Sequence, residues 1–301
     1  MLSTARVACA APHGWGMVTT TTASKSKGFF TMQVIGLCRF SYPAIGGFQV
    51  DFDDFQKKCD YLYAPARMEE RFATFETIML PPLKAQTDPL FTLAVVIGDS
   101  LPEVYRDRLE ALLADVPQAI VQVHPPAQHR PIMKQVINSV RFDDGLPCLQ
   151  FRMDDDDAVA VDFVERLRRV AGDITPLAKR EKLVAIDFNR GFIMRPGADG
   201  IAAAETAAPF QTAGLGMMIQ PGMRQTIMNF AHHKLGERMT CVTLTDTPPM
   251  LLRGHNDYND SRQGPSARPH KLTPLDAAGE ATLRDRFNID TDTVRAAFSA
   301  L

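Results

Sequence analysis

The sequence predicts an α/β protein with a mostly parallel central sheet and helices on both of its faces. Three observations carry that expectation: short, almost wholly apolar runs of strand length, amphipathic helical stretches between them, and their regular alternation through the first half of the chain. With 301 residues, 45% of them apolar, the chain is long enough to bury a sizeable core.

The elements follow in order. Gln33 to Cys38 is the first apolar run, and Phe91 to Ile97, Ala119 to Val123 and Cys148 to Met153 repeat it. Met68, Phe72, Phe75 and Met79 recur at helical spacing and predict a helix over Arg67 to Leu80, stopped by Pro81 and Pro82. Pro102 to Ala114 has the same pattern, and Pro131 suits the first turn of a helix reaching about Val140. Val159, Phe163, Leu167 and Val170 predict a helix over Val159 to Ala171. Leu183 to Phe188 and Phe192 to Arg195, separated by Asn189, Arg190 and Gly191, read as a β-hairpin. Further strands are expected at Gly214 to Ile219 and Thr240 to Leu244, with a helix from Arg224 to His233 between them. Gly254 to Lys271 has loop composition, and two short helices, Asp276 to Phe287 and Thr291 to Ala300, close the chain.

Charge and cysteine content narrow the function classes. Lys plus Arg is 33 and Asp plus Glu is 35, so the formal charge of -2 offers no global attraction to nucleic acid or to an anionic membrane. No apolar run approaches the roughly 20 residues of a membrane-spanning helix. Cys9, Cys38, Cys59, Cys148 and Cys241 are odd in number and contain no C-x-x-C pair, which argues for free thiols and a cytoplasmic location. The first 31 residues differ from the rest, with three bases and no acid, leaving 30 bases against 35 acids elsewhere. They read as a disordered extension, with a translation start at Met32 or a transit peptide as alternatives. The expected organisation is therefore an extension over 1–31, a main domain over 32–271, and C-terminal helices over 272–301.

Ligands of open α/β sheets bind outside the carboxyl ends of the strands, and the fourth strand ends in Asp154, Asp155, Asp156 and Asp157. From Arg141 to Glu165 there are eight acids against two bases. Such crowding raises carboxylate pKa values or demands a counter-cation. Mn²⁺ or Mg²⁺ fits, since both prefer hard oxygen ligands and keep positions open for phosphate oxygens. If the chain stays extended, Asp154 and Asp156 project to one side, and Asp155 and Asp157 elsewhere, toward a ribose hydroxyl or the next helix. A solvated helix N-terminus is the plainer alternative. An EF-hand fails, because Ala158 and Val159 fall where an oxygen ligand and a glycine are required. A phosphatase with an aspartyl nucleophile remains a minor alternative.

The segments VIGLCRFSY, RFATFETIMLPPLKAQTDPLFTLAVVIGD, FRMDDDDAV and RGHNDYNDS, in that order, resemble the putative rhamnosyltransferases, a group with a GT-A type glycosyltransferase fold. The resemblance runs from about Gln33 to Ser261. It implies transfer of a sugar from a nucleotide-diphosphate donor to a glycan or other acceptor, with Asp154 and Asp156 holding the metal ion. It also implies that Arg39, Phe40 and Ser41, at the end of the first strand, receive the donor's base and ribose. His255, in a late polar loop, is the candidate third metal ligand, and Arg253 and Asp155 are candidate donor contacts. For an inverting reaction a carboxylate must act as general base; Asp246, Glu237, Glu205 and Asp257 are the candidates. The competing class is a non-catalytic module that binds a nucleotide sugar or glycan.

Overall fold

The computed structural model describes residues 32–46, 52, 54–255 and 271–301. The extension expected before Met32, the candidate Asp257 and most of the predicted polar loop lie outside the described residues. Residues 32–301 form one compact unit.

Twelve strands and nine α-helices are described. The strands are β1 (Val34–Arg39), β2 (Thr92–Gly98), β3 (Ala119–His124), β4 (Cys148–Asp154), β5 (Ala158–Val159), β6 (Leu183–Phe188), β7 (Gly191–Gly197), β8 (Gly200–Thr206), β9 (Leu215–Ile219), β10 (Thr240–Leu244), β11 (Leu251–Gly254) and β12 (Thr273–Pro274). The helices are α1 (Phe55–Leu62), α2 (Pro65–Thr74), α3 (Leu80–Lys84), α4 (Glu103–Leu113), α5 (His129–Val140), α6 (Phe163–Asp173), α7 (Thr175–Ala178), α8 (Ala277–Phe287) and α9 (Thr291–Ser299).

The large sheet has the order β10-β6-β9-β4-β1-β2-β3. All its neighbours pair in parallel except β9, which runs antiparallel to both β4 and β6. Strands β1, β4, β6 and β10 consequently point the same way, and their carboxyl ends share one edge. Alternation explains why the first two strands are apolar throughout. Val34 and Cys38 on β1 join Leu93, Val95 and Ile97 on β2 in one core, whereas Ile35 and Leu37 join Ala94 and Val96 in the core on the opposite face. The smaller sheet, β12-β8-β7-β11-β5, packs beside this edge and receives α9.

Four predicted elements differ from the structure. The helix expected to stop at Pro81 continues. Phe75–Met79 form a π turn in which the Leu80 N–H reaches the Phe75 carbonyl, and α3 carries both prolines in its first turn. A proline cannot supply an N–H and its ring crowds the carbonyl four residues back; one widened turn displaces that carbonyl and places the ring where no donor is needed. Residues 224–233 form no α-helix, but contribute to short 3₁₀ turns at Ile227–Asn229 and His232–Glu237. Val159 belongs to β5 rather than to the start of α6. Leu183–Phe188 and Phe192–Arg195 are not a hairpin, because β6 lies in the large sheet and β7 in the small one. Asn189 and Arg190 carry the chain between them, with Phe188 N–H donating to Gly214 and Met250 N–H to Arg190. The hairpin partner of β7 is β8, closed by Gly197 opposite Gly200.

The chain leaving the continued helix places Gln86 against the segment that joins β5 to α6. Its Nε2 donates to Pro82 O at 2.9 Å and Ala160 O at 2.8 Å, while Oε1 accepts from Val164 N–H at 3.0 Å. Gln86→Leu should destabilise the fold by about 1–3 kcal/mol, since it leaves buried backbone groups unpaired. Chemical denaturation measures this directly; an unchanged midpoint would show that the clamp is dispensable.

Candidate metal and donor site

Strand β4 ends at Asp154, and β5 starts at Ala158 in the other sheet. The aspartates therefore span the junction of the two sheets. They do not continue the extended strand. Asp157 N–H donates to Asp154 O at 3.2 Å, which closes a turn around Asp155 and Asp156. Strict alternation is lost, and three carboxylates converge: ligand oxygens of Asp154, Asp156 and Asp157 all lie within 4.8 Å of one another. Asp157 thus joins the pair singled out in the sequence.

Each aspartate has a different set of supports. Asp154 is the most exposed, 39% at the side chain, and stands 3.9 Å from the buried Arg39 guanidinium on the adjacent strand. Asp155 turns away from the cluster to an ion pair with Arg71 of α2, whose Nη1 is also 3.9 Å from Asp156. Asp157 accepts from Asp154 N–H at 3.2 Å and from Gly254 N–H at 3.1 Å. Burial, and then the negative charges of Asp156 and Asp154, push the Asp157 carboxyl well above the usual carboxylate range. Gly254 is required by space: a Cβ there would come within 2.6 Å of the Asp156 carbonyl oxygen and 2.8 Å of its carboxyl carbon.

The donor set suits a hard divalent cation. Three clustered carboxylates, two of them buried, offer oxygen-only ligation, which matches Mg²⁺ or Mn²⁺. His255 follows Gly254, and its N–H donates to Met194 O at 2.8 Å, but its imidazole is not part of the three-carboxylate cluster. Arg253 is exposed on β11, and its charge acts on both Asp157 and His232.

Beside Asp154 lies a cavity of about 450 Å³, lined among others by Arg39, His129, Arg152, Met228 and His232. Burial, followed by the charges of Arg39 and Arg152, pushes the His129 imidazole down to about 3, so it is neutral near pH 7. The expected nucleotide contacts at the end of β1 divide here. Arg39 lines the cavity, but Phe40 does not: its ring is fully buried and packs at 5.0 Å on Phe72 and 5.1 Å on Phe75. Alternation along the chain turns it into the core behind the edge. Ser41 is also buried, and its Oγ accepts from Arg67 Nη1 at 3.1 Å.

The base candidates occupy different places. Asp246 is exposed just after β10, on the same carboxyl edge as Asp154. Glu237 is exposed at the end of a 3₁₀ turn leading toward the opposite, amino end of β10, and Glu205 is exposed on β8. The site residues absent from the sequence-based candidates are Arg152, His129 and His232. Only Arg152 carried a usable signal, two residues before Asp154 and on the same side of a strand; the two histidines reach the cavity only through tertiary packing.

Fold and site together define a class: an α/β protein with a mostly parallel central sheet and a three-carboxylate cluster at its carboxyl edge. The chain belongs to the family described as "Putative rhamnosyl transferase", whose model matches residues 33–268. No curated relative matches. Among solved structures, it is similar to Staphylococcus aureus TarS residues 1–349 in complex with UDP-GlcNAc, at 9% identity and a TM-score of 0.40, covering 76% of this chain and 60% of that one. The chain thus spans about 60% of the length of that TarS chain. It is also similar to a Bacillus anthracis protein described as a putative glucose-1-phosphate thymidylyltransferase, at 10% identity and a TM-score of 0.31, covering 71% of this chain and 86% of that one. At these scores both likenesses are loose.

Proposed function

We propose that the protein transfers a sugar, rhamnose by its family, from a nucleoside-diphosphate donor, with Mn²⁺ or Mg²⁺ held by Asp154, Asp156 and Asp157. The carrying observation is the convergence of these three carboxylates beside an arginine-lined cavity on the carboxyl edge of the sheet. The leaving group of such a transfer accumulates negative charge, and a divalent cation supplies Lewis-acid stabilisation for it. Arg71 and Gly254 keep the carboxylates converged; Arg39 and Arg152 place positive charge on the donor side. The transferase unit is taken as 32–271, with 272–301 packed against it, and the free thiols of Cys38, Cys59, Cys148 and Cys241 favour a cytoplasmic setting. No described helix is long and apolar enough to cross a membrane.

The test is consumption of nucleotide sugars, dTDP-rhamnose among them, with Mn²⁺ and with chelator. Turnover that survives excess chelator would remove the metal role, and metal-dependent binding without turnover on any acceptor would favour a binding module.

For the general base we propose Asp246, since of Asp246, Glu237 and Glu205 it alone follows a strand ending on the active edge. Asp246→Asn should lower transfer by about 10²–10⁴-fold while donor affinity is retained. Wild-type turnover in that variant would eliminate it.

A further inference from the structure

Three guanidinium groups converge on the cavity beside the aspartates. Arg39, Arg130 and Arg152 line it, and Asp154 is the single carboxylate on its wall among the described residues. Burial and neighbouring guanidinium charges keep His129 and His232 neutral, so they add nothing to either side of the balance.

Of the three, Arg130 is exposed, whereas Arg152 is half-buried on the strand that carries Asp154. Lying two residues before Asp154 on β4, it faces the same side of the strand. Its Nη1 donates to the thioether sulfur of Met228 at 3.1 Å, a weak acceptor. Its Nε is shielded from solvent and has no hydrogen-bond partner among the described residues. A guanidinium with a buried nitrogen is ordinarily paired with an anion. Its planar fork matches the oxygens of a phosphate two at a time, and the adjoining space is large enough for a ligand.

The geometry points to Arg152 as the residue that grips the diphosphate of the donor, holding it against the Asp154 end of the carboxylate cluster. This deepens the transferase reading and rests on it for the identity of the anion. Arg39 and Arg130 flank the grip, and Met228 holds the guanidinium in place until the anion arrives.

Calorimetric titration of the full chain with inorganic pyrophosphate, with and without Mn²⁺, tests the assignment. Arg152→Met should weaken pyrophosphate binding about tenfold or more, and Arg152→Lys should weaken it less, because a point charge replaces the fork. Both variants should keep the thermal shift produced by Mn²⁺, which reports an intact carboxylate cluster. Wild-type pyrophosphate affinity in Arg152→Met, or no binding by the unmodified protein in either condition, overturns the assignment. Glucuronate is the comparison anion; if it binds as tightly as pyrophosphate and is lost in the same variant, Arg152 reads a sugar carboxylate instead. Should Arg152→Met fail to fold, phenylglyoxal labelling of the unmodified protein replaces it: pyrophosphate must protect Arg152, and no protection overturns the proposal. If no nucleotide sugar is consumed yet pyrophosphate binding still depends on Arg152, the transferase reading alone fails. Turnover with an unchanged KM in Arg152→Met removes this assignment and leaves that reading standing.

Discussion

Asp154→Asn and Asp156→Asn are each expected to lower sugar transfer by about 10²-fold or more, the loss typical when an electrostatic group aimed at developing charge is removed. An amide keeps the shape of the carboxylate but removes its charge, so the fold should survive while the cation site is lost. The diagnostic is a split between two measurements: the Mn²⁺-induced rise in Tm disappears, and the Tm of the metal-free protein does not fall. Asp157 extends the argument to pH. Its carboxyl titrates above its unfolded value because burial and two neighbouring carboxylates oppose ionisation. The sign follows from linkage: the unfolded chain gives up this proton first, so ionisation costs the metal-free fold stability as pH rises past the ordinary carboxylate range. Mn²⁺ reverses that cost by pairing with the ionised form, and its stabilising effect should therefore grow with pH. Asp157→Asn should flatten the pH dependence of the metal-free Tm. A Mn²⁺ shift that survives in all three variants would place the ion elsewhere.

Arg71→Ala should be the most damaging substitution outside the cluster. Arg71 and Asp155 are almost fully buried and form an ion pair, with Asp156 3.9 Å from the same nitrogen. Removing the guanidinium strands buried negative charge, and breaking such a pair costs about 3–5 kcal/mol. Arg71→Met tests whether side-chain volume can substitute for charge; it should recover packing and little else. Excess Mn²⁺ should partly restore stability, because the cation supplies charge to the same segment. Equal stability of Arg71→Ala and the unmodified chain in urea would show that the acids are balanced by other groups.

Much of the large sheet was legible because its inner strands β1 and β2 are buried on both faces and read as short, mostly apolar runs; β1, β2, β3 and β4 stand within a residue of where the apolar runs put them. The amphipathic stripe of α2 and the Asp cluster were equally visible. Apart from β7, expected at Phe192 to Arg195, the small sheet was not. β5 is two residues long, β11 is four, and β8 is rich in alanine, so none gives a periodic signal. The false hairpin at Asn189 and Gly191 has a related cause: turn residues mark a change of direction, but not which sheet the next strand joins.

The sequence by itself placed four acids directly after a strand of the central sheet, and so offered a cation site at the edge where open α/β sheets bind ligands, beside plainer readings of the same run. Only the tertiary structure decided which acids act together. One backbone hydrogen bond, from Asp157 to Asp154, replaces extended alternation with a turn; Arg71 draws Asp155 aside and Gly254 admits Asp156 and Asp157 to the cluster. Those partners come from α2 and β11, about eighty and one hundred residues away, and a pattern of residue types along the chain carries no information about contacts that only packing creates.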